Sequence, residues 1–280
     1  MKRWSATLLV FGVCSSVVHA DVTTVQKTTV EGGAAAMAPG GIPSPVVTTR
    51  IKGLKGRTDM DMGAASTIPV NMSTISDATA KQIIILDHNQ KTARVSTGGV
   101  KPPAMPDAAA PSGTVGIDAS IKPTGKSQTI DGMKCEEYAF NTSLNMSQIG
   151  GAQMPPEALE AMKGVTMVMK GSLWVTKDAP GASEYLAYQK AMSAADLAAA
   201  AMGATGMNMP GMDKMMKAMQ GVEGLPILTE MDMTIDGTGP MADMMRQMGS
   251  MKVTTKVLSV KTDSIDEGVF KVPEGYQVIK

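Results

Sequence analysis

The chain has 280 residues, with 26 basic and 26 acidic side chains, 27 methionines and nine aromatic residues. This balance gives no electrostatic footprint for nucleic acid or an anionic membrane surface. Two cysteines, Cys14 and Cys135, are too few for a disulfide framework.

Residues 1–20 read as a secretory signal. Lys2 and Arg3 precede an apolar run from Leu8 to Val18, and Val18-His19-Ala20 offers small residues at the two positions a signal peptidase reads. The run is shorter than the roughly 20 residues a spanning helix needs. No later stretch is apolar for that length. An alternative, lipid attachment at Cys14, has poor flanking residues in Phe11-Gly12-Val13. Cleavage after Ala20 leaves one domain over 21–280 in the periplasm, with a formal charge of −2. It also leaves Cys135 without an intrachain partner.

In chain order, Val22–Val30 reads as a first strand, followed by a flexible Gly/Ala/Pro loop over 32–45. Val46–Lys55 is a second strand, and Gly56 turns the chain into a third around Arg57–Met62. Gln82–Leu86 and Lys91–Ser96 form a hairpin around Asp87-His88-Asn89-Gln90. A second flexible loop covers 98–113. Strand signals resume at Thr114–Ile121, Ser127–Ile130 and Lys134–Thr142. Pro155-Pro156 opens a short helix to Met162, and Val165–Thr176 is a long strand. Glu184–Met192 is a helix, and Ser193 with Asp196 caps a second one ending at Gly203. Ile227–Ile235 alternates cleanly, with Ile227, Thr229, Met231, Met233 and Ile235 facing one way. Glu230, Asp232 and Thr234 face the other, so Met231, Met233 and Ile235 are expected to be buried and Glu230 and Asp232 exposed. Met251–Val260 and Val269–Val272 supply the last strands. Strands in runs with helices between them indicate an α+β class.

Within a Met-rich helical section at 193–250, an internal repeat has the spacing MxxMMxxM. It places Met212, Met215, Met216 and Met219 in one helical stripe after Pro210, and Met241, Met244, Met245 and Met248 in another after Pro240. Three readings stay open. The stripes are buried helix faces, the lining of a groove for acyl chains, or a site for Cu(I), which thioethers suit as soft ligands. The copper reading would use Met212, Met216, Met241 and Met245.

Other chemistry is sparse. His88 sits in a hairpin turn, where a lone histidine is ordinarily solvated. Cys135 lies beside Glu136 and Glu137, which disfavour a thiolate, so an inert buried thiol is the expectation. Gly125-Lys126-Ser127 has the end of a phosphate loop, but Ser120 stands where its first glycine belongs, so a turn between strands is expected. Asp59, Asp61 and Asp77 lack the spacing of a calcium loop.

Four segments together resemble a known family. Val269-Phe270-Lys271-Val272-Pro273-Glu274-Gly275-Tyr276 is similar to the "F-x-V-P-x-G-Y" ending of periplasmic proteins with the lipoprotein-carrier (LolA/LolB-like) fold. Gly171–Thr176 with the helix at Glu184–Met192 is similar to their strand-then-helix section. Ile130–Tyr138 resembles their "I-x-G-y-x-C-x-x-Y" strand, and Ile51–Arg57 resembles their early hairpin. The resemblance is closest to a subgroup of unknown function, and it loosely matches Arg57 to an arginine the carriers keep inside the barrel. It implies a curved antiparallel half-barrel of about ten strands with helices packed on its concave side.

These readings combine into an exported, non-enzymatic binding protein without a cofactor. Its expected partner is a lipid, lipopeptide or other apolar molecule, held by Trp174 and the eight repeat methionines between the sheet and helices at 157–162, 184–202, 212–219 and 241–248. A Cu(I)-binding protein and a structural envelope protein that binds another protein are the alternatives.

Overall fold

The computed structural model describes residues 21–33, 44–62, 71–97, 118–146, 156–192, 217–247 and 249–279. The signal, the loop at 98–113, most of the loop at 32–45, the second Ala-rich helix and Met212, Met215, Met216 and Met248 lie outside them.

Two antiparallel meanders make one sheet of twelve strands. The first runs β1 (Val22–Gly32), β2 (Val46–Lys52), β3 (Lys55–Asp61), β4 (Met72–Asp77), β5 (Gln82–Asp87) and β6 (Thr92–Thr97). The second runs β7 (Asp118–Ile130), β8 (Met133–Asn145), β9 (Thr166–Thr176), β10 (Leu225–Asp236) and β11 (Met251–Lys261). β1 pairs with β11 from Thr23↔Lys261 to Gly32↔Met251, which joins the meanders. The last strand, β12 (Gln277–Ile279), adds to β6 in parallel. β12 and β7 are the two ends of the strand order, so the sheet is open and mixed.

Tight turns follow from local chemistry. The Asp77 carboxylate accepts backbone N–H bonds from Thr79 and Ala80 at 2.9 Å, and Asp87 does the same for Asn89 and Gln90. Each turn ends four residues on in a lysine with positive φ, Lys81 and Lys91. Asp131 and Gly132 both take positive φ, as a two-residue hairpin turn of matching twist requires.

Both faces of the sheet are covered. Helix α1 (Pro156–Ala161) precedes β9, and α2 (Ala182–Ala191) packs across the sheet. Ala182 and Tyr185 join Cys135, Trp174, Leu225, Ile227 and Val257, while Tyr188 and Met192 join Val22 and Ile51. Gly56 makes room for Tyr188, whose hydroxyl bonds Ser76 Oγ at 2.5 Å. On the other face, Ile265 at the start of a C-terminal strap and Phe270 within it bury against Ile75, Ile84, Leu86 and Ala93. A separate cluster there joins Leu173, Val175 and Val222 with Tyr138, Phe140 and Met219.

Several expectations are corrected. Among the described residues there are twelve strands and few helices, rather than about ten strands with helices gathered on one side. Only α2 covers the Trp174 face among the described helices, and the strap takes the place of a helical layer on the other. The strand β4 was absent from the expected set, and the second turn falls at Gly53-Leu54 rather than Gly56. Gly32 belongs to β1. Residues 118–130 form one strand, whose register shifts between Pro123 and Ser127, instead of two strands joined by a turn. In β10 a register shift between Pro226 and Leu228 breaks the expected alternation. Ile227 therefore joins Trp174, whereas Thr229 lies opposite Leu173, whose side chain points to the other face. Met231, Met233 and Ile235 are half-buried rather than buried, and so is Glu230, while Asp232 is exposed as expected.

Candidate functional site

Of the expected ligand-binding residues, Trp174, Met219, Met241, Met244 and Met245 are among the described ones, and Trp174 and Met219 lie on opposite faces of the sheet. Trp174 is a core residue, 9% exposed, because α2 closes over it. Met219 packs on the opposite face, with Leu173 and Val175. The second repeat does open a helix at its proline, α3 (Pro240–Gln247), which packs against β10. The described methionines of the stripe, Met241, Met244 and Met245, are not its buried face, however. Ala242 is fully buried, Met241 and Met245 are half-buried, and Met244 is 55% exposed.

The methionines that do converge are on strands. Directly opposed residues of neighbouring strands share a face. Thr142, Met169, Met233, Met251 and Gly32 form one such row across β8, β9, β10, β11 and β1. Leu144, Met167 and Ile235 form the row on one side of it. Phe140, Gly171, Met231, Val253 and Val30 form the row on the other. Two-residue spacing along each strand puts all three rows on one face, which on β8 and β9 is the one carrying Phe140 and Leu173. No charged residue interrupts them. Leu144, Thr142 and Met169 are buried, while Met167, Met231, Met233, Ile235, Met251 and Val253 are half-buried. Two glycines shape this face. A Cβ at Gly33 would come within 2.5 Å of Met251 Cγ, and one at Gly171 within 2.7 Å of the Phe140 ring. Reading the rows from sequence needs the strand register, which periodicity alone does not supply.

A polar chain lies on the strap side of the first meander. Arg57 Nε donates to Asp59 Oδ1 at 2.7 Å, and Arg50 pairs with the other carboxylate oxygen. Ser73 Oγ donates to Asp59 Oδ1 at 2.5 Å and lies 2.6 Å from His88 Nε2. His88 Nδ1 lies 2.5 Å from the Tyr276 hydroxyl, and Arg57 Nη1 donates to the Val269 carbonyl at 3.1 Å. With Ser73 donating to Asp59, the consistent order is Nε2–H to Ser73 and Tyr276 O–H to Nδ1. Burial, followed by the Arg57 charge, holds the His88 pKa below its ordinary value. Burial disfavours the Asp59 carboxylate, but Ser73, Arg57 and Arg50 outweigh it and hold its pKa low. His88 is thus a connector between sheet and strap, not the solvated turn residue expected. Ser73 is 1% exposed, out of reach of a substrate.

Cys135 is fully buried, and its pKa is raised chiefly by that burial rather than by Glu136 or Glu137. Beside the strap, a cavity of about 110 Å³ is lined by Lys55, Ser76, Asp77, Gln82 and Phe270 among others. It is smaller than the ~300–1,000 Å³ of typical ligand pockets. Among the described residues, no three His, Cys, Asp or Glu side chains are placed to hold a metal. No described helix is long and apolar enough to cross a membrane.

No family model matches the chain, and no curated protein matches it. Among solved structures, it is similar to an uncharacterized conserved protein from Thermus thermophilus at 8% identity, over 94% of this chain and 91% of that one, with a TM-score of 0.38.

Proposed function

We propose that this chain is an exported, non-enzymatic protein with a lipoprotein-carrier-like half-barrel, which binds a lipid or lipopeptide acyl chain on its methionine-bearing sheet face. The observation that carries this reading is the block of three uncharged rows on β8–β11, half-buried and rich in thioethers. Flexible methionine side chains adapt to irregular apolar shapes and leave no polar group to desolvate. α3, with Met241 and Met245 half-buried and Met244 exposed, lies beside β10, a strand of that block. Export rests on the basic start, the apolar run and the small residues that precede Asp21. The Asp21 carboxylate accepts the Ile265 N–H at 2.6 Å and lies 3.4 Å from Lys52 Nζ. Losing residues 1–20 therefore removes none of these contacts.

Native mass spectrometry of protein recovered from the periplasm tests the reading. The expected species starts at Asp21, carries no acyl group on its own chain and holds a non-covalent lipid. Met233→Asp is expected to remove that lipid, because a carboxylate facing an acyl chain must be desolvated. A lipid-free wild type, or an N-terminus at an acylated Cys14, would overturn it.

A further inference from the structure

We infer that Met169, Met233 and Met251 form a three-thioether site for a soft monovalent cation, Cu(I). Their side chains leave three consecutive strands at directly opposed positions, Met169↔Met233 and Met233↔Met251. Opposed Cβ atoms on adjacent strands are about 4.5–5.5 Å apart. Rotation about the Cα–Cβ and Cβ–Cγ bonds moves each sulfur, so the two outer thioethers can lean toward the central one, Met233. Met231 and Met167 are diagonal neighbours on the same face, at Gly171 and Ile235 of the flanking rows.

The donor chemistry selects the ion. Thioethers are soft, neutral ligands, which suit Cu(I) and not the harder divalent cations. The flanking rows provide no imidazole, thiolate or carboxylate. Elsewhere, Cys135 is buried against Trp174, and both His88 nitrogens are engaged by Ser73 and Tyr276. Three neutral donors leave the site with the cation's full charge, which would be costly in a sealed core. Met233 and Met251 are half-buried rather than sealed, so that charge keeps contact with water. The row differs from the helical set Met212, Met216, Met241 and Met245. It also stands independently of acyl-chain binding, because leucine preserves apolar volume while removing sulfur.

The test uses the full chain from Asp21, titrated anaerobically with Cu(I) against a competing Cu(I) chelator, and separately with Ag(I) as a redox-inert probe. Wild type is expected to take up one ion with a sulfur-only coordination shell by X-ray absorption, and to bind neither Zn(II) nor Cu(II) at that site. Met169→Leu, Met233→Leu and Met251→Leu together are expected to weaken uptake at least 100-fold, with far-UV circular dichroism unchanged. Met72→Leu, in the other meander, is the control and is expected to bind as wild type. Should the triple variant misfold, Met251→Leu alone, at a half-buried position, is expected to weaken uptake at least tenfold. No uptake by wild type, or uptake unchanged in these variants, overturns the site. A wild type that takes up Cu(I) but holds no lipid would count against the acyl-chain reading alone.

Discussion

Ser73 shows how one small residue decides what its neighbours can be. It is buried between Asp59 and His88 and bonds both, so the carboxylate and the imidazole are each satisfied through one hydroxyl. Ser73→Ala would leave two polar groups short of a partner, at about 1–3 kcal/mol for the poorer-solvated one. The same chain sets a pH dependence. The groups facing His88 are Arg57, Asp59, Ser73 and Tyr276, with Asp87 beside it on its own hairpin. Its pKa in the fold lies below the ordinary 6.5, so below that pH the unfolded chain takes up the proton first. The contribution from neutral His88 is complete above about 6.5 and is lost as pH falls from there toward the lowered value. Melting temperature measured from pH 8 to pH 5 is expected to drop in wild type more steeply than in His88→Gln, which keeps a hydrogen-bonding side chain but does not titrate. Parallel curves would show that another group sets the slope.

Strands were legible in the sequence wherever alternation or turn chemistry was strong, as in β5, β6, β8 and β9. The omission of β4 is instructive, because a signal for it was present. Asp77 to Lys81 repeats the Asp87 to Lys91 turn at a spacing of ten, which marks the ends of β4, β5 and β6. The β10 register shift was not legible, since a bulge is a property of the pair and a single strand's pattern does not contain it. For the same reason the row of Met169, Met233 and Met251 was not among the expected site residues. The helical spacing of MxxMMxxM pointed to α3, while the strand methionines gain their meaning only from register. The β9–β10 pair is where that register is most tightly held. A Cβ at Gly171 would lie 1.9 Å from the Glu230 carbonyl oxygen, a backbone atom that cannot rotate away. Gly171→Ala is expected to cost about 3 kcal/mol or more from overpacking, read as a lower denaturation midpoint at unchanged m-value. A stability within experimental error of wild type would mean that the two strands are not so closely paired.

At the scale of the molecule, the seam between β1 and β11 makes two local meanders into one sheet, and the strap ties the seam to the far edge. The strap begins just after β11, where Lys52 Nζ donates to the Ile265 carbonyl at 2.6 Å and Asp21 accepts the Ile265 N–H. It then runs over β3–β6 through Phe270, Arg57 and Tyr276 and ends as β12. Contacts of such sequence separation form only when the whole sheet is in place. Cutting one strap anchor should therefore weaken the opposite meander too. Phe270 is buried against Ile75, Ile84 and Leu86, and Phe270→Ala is expected to cost about 3–5 kcal/mol. Trp174 is the single tryptophan of the described residues and lies in the other meander, beneath α2, so its fluorescence reports on a region the strap does not touch. In a chain starting at Asp21, Trp174 fluorescence and far-UV circular dichroism are expected to give coincident denaturation midpoints, both lowered together by Phe270→Ala, as one cooperative unit requires. If the Trp174 midpoint stays in place while the dichroism transition splits, the meanders unfold separately, and the seam does not couple them.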